Sequence, residues 1–277
     1  SLTVGAVSGT GDVRINPVTT NNRTKQVNVG AGTFWAKSVT LLGGSTANQA
    51  TQIAISTGTA TVTGDIISAG VGSKIIFSNS GILYAGGSFL SGVAGTFTAS
   101  TGTVIFNSAN AQNIAPFAYT FNNVVLSGGG TKSVSANTTI NGNLDILSGT
   151  EFIFSGYNLT VTGNTTVSGT ITFNSTTGMK TLTGNVTIDY GGDWNATVSE
   201  SFSFGGSLQN NGTFTANTGA YTFTNDGRTF SGASAISIPT VAINGTRTNN
   251  GTLTVGTVLI GSSTLTQGFG ATLNIGG

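Results

Sequence analysis

The sequence predicts an all-β fold, a single-stranded parallel β-helix or β-solenoid in which the chain winds into stacked turns. Three observations predict it: short apolar/polar alternations, turn-forming dipeptides between them, and repeats of the same pattern along the chain. No window of about 11 or more residues has apolar groups at i, i+3, i+4 and i+7, so we expect almost no helix. The alternative is a row of tandem β-sandwich or jelly-roll domains that exchange donor strands.

The strands are predicted from apolar residues at positions i and i+2, separated by Thr, Asn or Ser. This alternation is typical of a strand that is buried on one face. The dipeptides TG, SG, NG and GG lie between the strands and permit the positive φ angles of tight turns. Short strands recur too closely for the longer strands and connections of Greek-key sandwiches, which favours the solenoid. The pairs that carry the pattern are Leu159/Val161, Ile171/Phe173, Val186/Ile188, Phe202/Phe204, Tyr221/Phe223, Val241/Ile243 and Leu253/Val255.

The chain also repeats itself at long range. GGSFLSGVAGTFTASTG from Gly86 matches GGSLQNNGTFTANTG from Gly205, and later blocks stay aligned as far as NLTVTG and TLNIGG. We therefore predict a β-solenoid over residues 61–277, in which residues 86–163 resemble residues 205–277. Residues 1–60 are less regular and are predicted to form an N-terminal β region, either the first turns or an assembly arm.

The composition fits the geometry of such a coil. Gly, Thr, Ser and Asn make up 148 of the 277 residues, whereas Asp, Glu, Lys and Arg together supply 17. In a parallel coil each side chain stacks on its counterpart in the next turn, at about 4.8 Å. Thr, Ser and Asn form ladders at this distance, whereas like charges would repel each other. A scarcity of charge is therefore what the fold requires.

Several classes of function are excluded by composition. The chain has no Cys and no His, which removes disulfides, thiolate nucleophiles, imidazole bases and the usual zinc ligands. A net charge of +1 without a Lys/Arg run gives no electrostatic footprint for nucleic acid. No apolar stretch of about 18 residues is present, so we expect no membrane span. We also expect no cofactor.

Runs such as GTFTASTGTVIFNSANAQNI and NLTVTGNTTVSGTITFNSTTG carry a resemblance to a known group of proteins. They resemble the Thr/Asn/Gly-rich β-helical repeats of large secreted surface proteins from bacteria and archaea, over most of residues 60–277. The resemblance implies a parallel β-helix on the outside of a cell. Members of this group are adhesins, surface-layer components and filament subunits, and no set of catalytic residues transfers from them.

One segment, IDYGGDWN, gathers side chains that could act on or bind a glycan. Asp189 and Asp193 could serve as acid and base, and Tyr190 and Trp194 could stack on sugar. The related segments AGGSFL and FGGSLQ replace Asp and Trp, which favours a recurring turn with a core or rim aromatic instead. We therefore assign no catalytic, cofactor-binding or metal-binding residue, we predict no enzyme, and we keep Tyr190 and Trp194 as candidate glycan contacts.

The ends of the chain suggest how a molecule without a catalytic site would act. A solenoid leaves unpaired backbone groups on its first and last turns, and no capping segment is visible in the sequence. Alternation begins at Leu2 and Val4 and closes at Leu273 and Ile275, so these residues are predicted to make a head-to-tail contact. The predicted function is a structural subunit of an extracellular filament, sheath or surface layer, which forms a homopolymer.

Two other functions remain open at this stage: the stalk or binding region of a surface adhesin, and a polysaccharide-active β-helix enzyme. Besides further copies of the chain itself, the candidate partners are cell-surface or matrix glycans. The chain begins at Ser1 and its single Met is Met179, so we expect that a secretory leader precedes it and that the protein is secreted or on the cell surface.

Overall fold

The computed structural model describes residues 2–3, 11–17 and 19–276, with the backbone alone described for Leu2 and Thr3. These residues contain strands, turns and bends but no helix. The chain divides into two compact units, unit 1 over residues 1–130 and unit 2 over residues 131–277. Each unit is a coil of parallel strands, and the two together contribute about 12 turns. The fold class predicted from the sequence is confirmed, and the β-sandwich alternative is wrong.

The strands of unit 1 are β1 (Leu2–Thr3), β2 (Asp12–Ile15), β3 (Arg23–Gly30), β4 (Thr33–Ala36), β5 (Ser38–Leu41), β6 (Gln49–Ile55), β7 (Thr59–Val62), β8 (Ile66–Ser68), β9 (Ser73–Phe77), β10 (Ile82–Ala85), β11 (Phe89–Gly92), β12 (Thr96–Thr98), β13 (Thr103–Phe106), β14 (Gln112–Ala115), β15 (Tyr119–Phe121) and β16 (Asn123–Leu126). Within this unit the chain builds three parallel sheets, in the orders β1-β3-β6-β9-β12, β4-β7-β10-β13-β16 and β2-β5-β8-β11. Coiling therefore begins well before the predicted boundary at residue 60.

The strands of unit 2 are β17 (Thr131–Val134), β18 (Thr138–Ile140), β19 (Leu144–Ile146), β20 (Glu151–Phe154), β21 (Leu159–Val161), β22 (Thr165–Val167), β23 (Thr170–Phe173), β24 (Lys180–Leu182), β25 (Val186–Ile188), β26 (Asp193–Ala196), β27 (Phe202–Phe204), β28 (Leu208–Asn210), β29 (Thr213–Thr215), β30 (Ala220–Phe223), β31 (Arg228–Ser231), β32 (Ile236–Ile243), β33 (Arg247–Asn249), β34 (Thr252–Ile260), β35 (Leu265–Gln267) and β36 (Thr272–Ile275). They form three sheets in the orders β17-β20-β23-β26-β29, β18-β21-β24-β27-β30-β32-β34-β36 and β19-β22-β25-β28-β31-β33-β35.

The pairing register gives the length of a turn. Thr138 pairs with Leu159 and Leu159 pairs with Lys180, so each of these turns takes 21 residues. Most strands bury every second side chain, as in Glu151–Phe154, where Phe152 and Phe154 are fully buried and their neighbours are half-buried. The predicted period of two therefore reflects an inner and an outer face on each strand.

Aromatic rings fill the interior of each unit. In unit 1, Phe89 lies with its ring centroid 5.3 Å from that of Phe106 and 5.8 Å from that of Tyr119. In unit 2, Trp194 lies 4.7 Å from Phe173 and 5.8 Å from Phe214 by the same measure. Contacts at these distances stabilise a core beyond the burial of apolar area. The aromatic residues thus close a core that is only a few side chains wide.

The corners of unit 2 explain its Gly-Asn dipeptides. A Cβ atom added at Gly184 would lie 2.1 Å from the carbonyl oxygen of Gly163 in the turn below, so successive backbones approach too closely for a side chain. Asn164, the residue after Gly163, accepts a hydrogen bond at Oδ1 from the N–H of Asn185 at 3.0 Å. Asn164 donates its own N–H to Oδ1 of Asn143 at 2.9 Å. Gly brings the turns together at these corners, and Asn joins them.

Candidate functional site

The last described turn of unit 2 exposes apolar side chains at positions whose counterparts in the preceding turns are buried. Leu273 pairs with Leu253, and Ile275 pairs with Val255. Leu253 and Val255 are fully buried, whereas Ile275 is 58% exposed and Leu273 is half-buried. The same inward positions therefore change from core to surface at this turn, because no described strand stacks on β36 on its other side.

One outer column of unit 2 changes character at the same place. In successive turns, the in-register positions are occupied by Thr139, Thr160, Thr181, Ser203, Thr222, Ala242 and Ile260. Ile260 is 58% exposed and its neighbour Val258 is 36% exposed. A ladder of hydroxyl groups therefore ends in exposed aliphatic residues. Beside it lies a cleft of about 270 Å³, lined by Ile243, Leu259, Ile260, Gly261, Ser263 and Leu265.

Phe269 adds the most exposed large apolar side chain of this turn. It lies in the turn between β35 and β36, where Ala271 N–H donates to the carbonyl of Gly268 at 3.2 Å and Gly270 has a φ of +74°. The side chain reaches 110% of its reference exposure, so it touches almost nothing. Three exposed large apolar side chains, those of Ile260, Phe269 and Ile275, therefore lie within residues 258–275 at the end of unit 2.

Hydrogen bonds hold this turn in place. Buried Asn249 donates Nδ2–H to the carbonyl of Thr272 at 2.8 Å and accepts at Oδ1 from the N–H of Gly251 at 3.2 Å. The N–H of Thr272 donates to the carbonyl of Gly251 at 2.9 Å. The exposed apolar residues therefore sit on a fixed backbone. We call Val258, Ile260, Phe269, Leu273 and Ile275 the terminal apolar surface.

The predicted assembly residues can now be placed. Leu273 and Ile275 lie on the terminal apolar surface. Leu2 belongs to β1, where its backbone pairs with that of Val27 at the edge of a sheet in unit 1, and Val4 lies outside the described residues. Sequence reasoning missed Val258 and Ile260, although the run Val258-Leu259-Ile260 breaks the apolar/polar alternation and could have indicated them.

The two candidate glycan contacts differ sharply in exposure. Tyr190 is 78% exposed at the corner between β25 and β26, whereas Trp194 is fully buried. The indole of Trp194 therefore offers no surface on which a sugar could stack, and the glycan prediction at this segment rests on Tyr190. Trp194 pairs with Ile171 and Phe214 in adjacent turns. The sequence alignment of YGGDWN with FGGSLQ is wrong, because these segments occupy different corners of the coil.

The core of unit 2 contains an ion pair between Lys180 and Glu200, both with fully buried side chains. Lys180 Nζ also donates to the carbonyls of Thr177 at 3.2 Å and Gly178 at 3.1 Å, and it lies 5.4 Å from the ring centroid of Phe154. The carboxylate of Glu200 has no hydrogen-bond donor apart from this ion pair. Burial raises the pKa of Glu200 to about 7, and the ammonium group of Lys180 opposes part of the rise.

A second buried cation, Arg247, has no carboxylate partner among residues 11–17 and 19–276. Its Nη1 donates to the carbonyl of Gly206 at 2.5 Å and its Nη2 to that of Phe204 at 3.2 Å. The guanidinium carbon lies 4.9 Å from the ring centroid of Phe223, within the range of a cation–π interaction. Burial lowers the pKa of Arg247 to about 10, with a further contribution from the charge of Arg228. Carbonyls and a ring thus take the place of a counter-ion.

The acids of the described residues do not form a metal-binding cluster. No group of three or more His, Cys, Asp or Glu residues in this part of the chain could hold a metal ion. Several acids instead bond to neighbouring turns: Asp189 accepts from the hydroxyl of Ser168 at 2.7 Å, and Asp226 accepts from the N–H of Thr246 at 2.7 Å. These carboxylates join turns of the coil.

Comparison of the chain with protein-family models, curated proteins and solved structures finds no match. Among the described residues, no helix has the length and apolar character needed to cross a membrane.

Proposed function

We propose that the protein is a structural subunit of an extracellular filament, sheath or surface layer, which polymerises head to tail. The observation that carries this proposal is the terminal apolar surface, where Ile260, Phe269 and Ile275 are exposed by 58%, 110% and 58%. A second copy of the chain is its proposed occupant. The proposed role is structural, and no residue is assigned to catalysis.

The backbone at this surface supports a strand-to-strand contact. β36 lies at the edge of its sheet in unit 2, and β1 lies at the edge of a sheet in unit 1. Each edge strand carries N–H and C=O groups on its outer side that can pair with another chain. Because both edges belong to parallel sheets, β1 of a second copy can continue the β-sheet beyond β36. Such a heterologous contact generates a filament when it does not close into a ring.

Stable association needs both the terminal apolar surface and the strand pairing. Burial of a large apolar side chain contributes about 1.5–3 kcal/mol, and association costs about 4–15 kcal/mol. The few exposed residues of the terminal apolar surface therefore give only weak association by themselves. Strand pairing supplies the rest of the stability, and the low charge of the chain, 17 charged residues in 277, leaves little repulsion between copies.

The proposed location is outside the cell, either secreted or at the cell surface. Three features support it: the resemblance of the Thr/Asn/Gly-rich turns to surface-protein repeats, the outer ladders of hydroxyl and amide groups, and the parallel solenoid itself. Such ladders present hydroxyl and amide groups to the surrounding water along much of the coil.

Light scattering of three proteins tests the proposal. The wild-type protein should grow in mass with concentration, whereas Leu273→Lys/Ile275→Lys should stay monomeric, because the contact would have to bury unpaired ammonium groups. The matched control Thr166→Lys/Gln209→Lys adds the same charge on the half-buried and exposed outer positions of β22 and β28 and should assemble like the wild type. Circular dichroism establishes that each variant folds, and Leu273→Ser/Ile275→Ser replaces the Lys variant if that variant does not.

Two results would overturn the proposal. One is a wild-type protein that stays monomeric at every concentration. The other is a Lys variant that is folded and assembles as well as the wild type.

A further inference from the structure

The outer face of one sheet in unit 1 carries an unusual column of side chains. Strands β4, β7, β10, β13 and β16 pair in parallel and in register, and each has alternating burial. Successive turns place Trp35, Thr61, Tyr84, Ile105 and Val125 at one outward position. All of these side chains are half-buried, so part of each is open to solvent. We call them the aromatic column.

A second outward column runs beside it. In the same turns it contains Thr33, Thr59, Ile82, Thr103 and Asn123. Three hydroxyls and one amide in this column can donate and accept hydrogen bonds at regular intervals. Neither column contains Asp, Glu, Lys or Arg. The two columns together form a flat, neutral face with aromatic, aliphatic and hydroxyl groups.

The neighbouring sheet of the same unit has no large ring in either outer ladder, although one of these ladders contains Ala54 and Ile76. The other outer ladder is polar: Gln26 pairs with Gln52, which pairs with Lys74, and Gln52 donates Nε2–H to Oε1 of Gln26 at 2.7 Å. The solenoid geometry therefore accepts fully polar outer ladders. Large rings at Trp35 and Tyr84 are not required by the fold, and an apolar face that is partly open to solvent indicates a binding surface.

The spacing of the rings indicates which ligand fits. Trp35 and Tyr84 are separated by one intervening turn, at Thr61, so they lie about 9.6 Å apart along the column at about 4.8 Å per turn. This distance is close to the length of one disaccharide in an extended β-1,4-linked glycan. In such a glycan every second sugar presents the same face, so both rings can contact equivalent sugars of one chain.

We propose that this face of unit 1 binds neutral β-1,4-linked polysaccharide, of the cellulose or chitin type, along the line of the aromatic column. The C–H groups on the flat face of a β-linked pyranose carry partial positive charge and pack on the electron-rich faces of Trp35 and Tyr84. Hydroxyls of Thr33, Thr59 and Thr103 lie alongside, where they can bond to sugar hydroxyls. The absence of charge on both columns favours a neutral glycan over an anionic one.

This inference is independent of the terminal apolar surface, which belongs to unit 2. It also moves the glycan contact predicted from the sequence to a different place, because Trp194 is buried and Tyr190 is a single ring on a corner. A glycan-binding face is compatible with a filament subunit and with an adhesin, so its test uses binding and leaves assembly as a separate readout.

Depletion from solution by insoluble cellulose and chitin measures the binding. The wild-type protein should bind at least one of them, and Trp35→Ala and Tyr84→Ala should each weaken the partition coefficient by up to about tenfold. The double variant should bind no more than an inert protein. Tyr157→Ala removes an exposed ring in unit 2 and should bind like the wild type. Trp35→Phe, which keeps a ring, should retain more binding than Trp35→Ala.

Thermal unfolding of each variant separates binding from stability. If Trp35→Ala does not fold, Tyr84→Ala and Tyr84→Phe carry the comparison. The proposal is overturned if the folded wild type binds neither polysaccharide, if it binds only anionic glycans, or if the Ala variants bind as well as the wild type. Loss of self-association in the Ala variants without any glycan binding would identify the face as a contact between copies and would also overturn the proposal.

Discussion

Lys180 and Glu200 form an ion pair that is closed off from solvent inside unit 2, and the ring centroid of Phe154 lies 5.4 Å from Lys180 Nζ. Burial raises the pKa of Glu200 to about 7, from an ordinary value of 4.5. In the folded protein this carboxyl therefore holds its proton at pH values where the unfolded chain has lost it. Ionisation of Glu200 therefore costs more free energy in the folded state than in the unfolded state.

The first prediction concerns pH. The free energy of unfolding should fall as pH rises from about 4.5 to 7, because the unfolded chain releases the Glu200 proton before the folded protein does. Glu200→Gln cannot ionise and should flatten this slope. Chemical denaturation at several pH values measures it. An unchanged slope in Glu200→Gln would refute the assignment.

The second prediction concerns the corner glycines. Gly184→Ala would place a Cβ atom 2.1 Å from the carbonyl oxygen of Gly163, so the stacked turns must separate. We expect a loss of about 2–4 kcal/mol in the free energy of unfolding. Gly11→Ala, where no atom of the described residues lies within 4 Å of the added Cβ, is the control and should change little. Equal effects of the two substitutions would contradict the close stacking of turns.

The third prediction concerns the asparagine ladder. Asn164→Ala removes the acceptor of the Asn185 N–H, which is bonded at 3.0 Å, and should destabilise the protein by about 0.5–1.5 kcal/mol. Asn164→Asp keeps an acceptor oxygen at the same position and should lose less. Urea denaturation distinguishes the two variants. If the Asp variant is as unstable as the Ala variant, the side-chain bond is not what holds this corner.

The fourth prediction concerns the outer column that ends at Ile260. Ile260→Thr restores the hydroxyl that Thr222 supplies in this column two turns earlier. It should weaken self-association while leaving the melting temperature nearly unchanged, because Ile260 is 58% exposed. Sedimentation measures the association. The control adds Thr160→Ile to the Ile260→Thr variant, which places an aliphatic residue in the same column but farther from the last turn. This double variant should not regain the self-association of the wild type.

Much of the architecture follows from local sequence signals. The alternation of residues such as Phe152 and Phe154 with polar neighbours gives the inner and outer faces, and Gly-Asn dipeptides give the corners. The prediction of a parallel solenoid succeeds because each turn repeats the same local pattern, in which a short strand buries every second side chain and a corner of a few residues leads into the next sheet.

Contacts between turns are harder to predict, because corner lengths vary. Four residues separate β19 from β20, whereas two separate β22 from β23. A fixed sequence offset therefore drifts from the structural register, which is why YGGDWN was aligned with the wrong corner. The Lys180–Glu200 pair and the Trp35–Tyr84 spacing depend on the same register, so neither is visible in the sequence alone. The Gly and Asn corners can be used to predict that register only after the turn lengths are known.

Electron microscopy of the purified wild-type protein at high concentration tests the central claim most directly. The account predicts unbranched filaments or sheets, present in about 1 M salt as well as at low ionic strength, because an apolar contact with strand pairing is not screened by salt. Filaments should be absent from grids of folded Leu273→Lys/Ile275→Lys. Dispersed monomers of wild-type protein under all of these conditions would contradict the account.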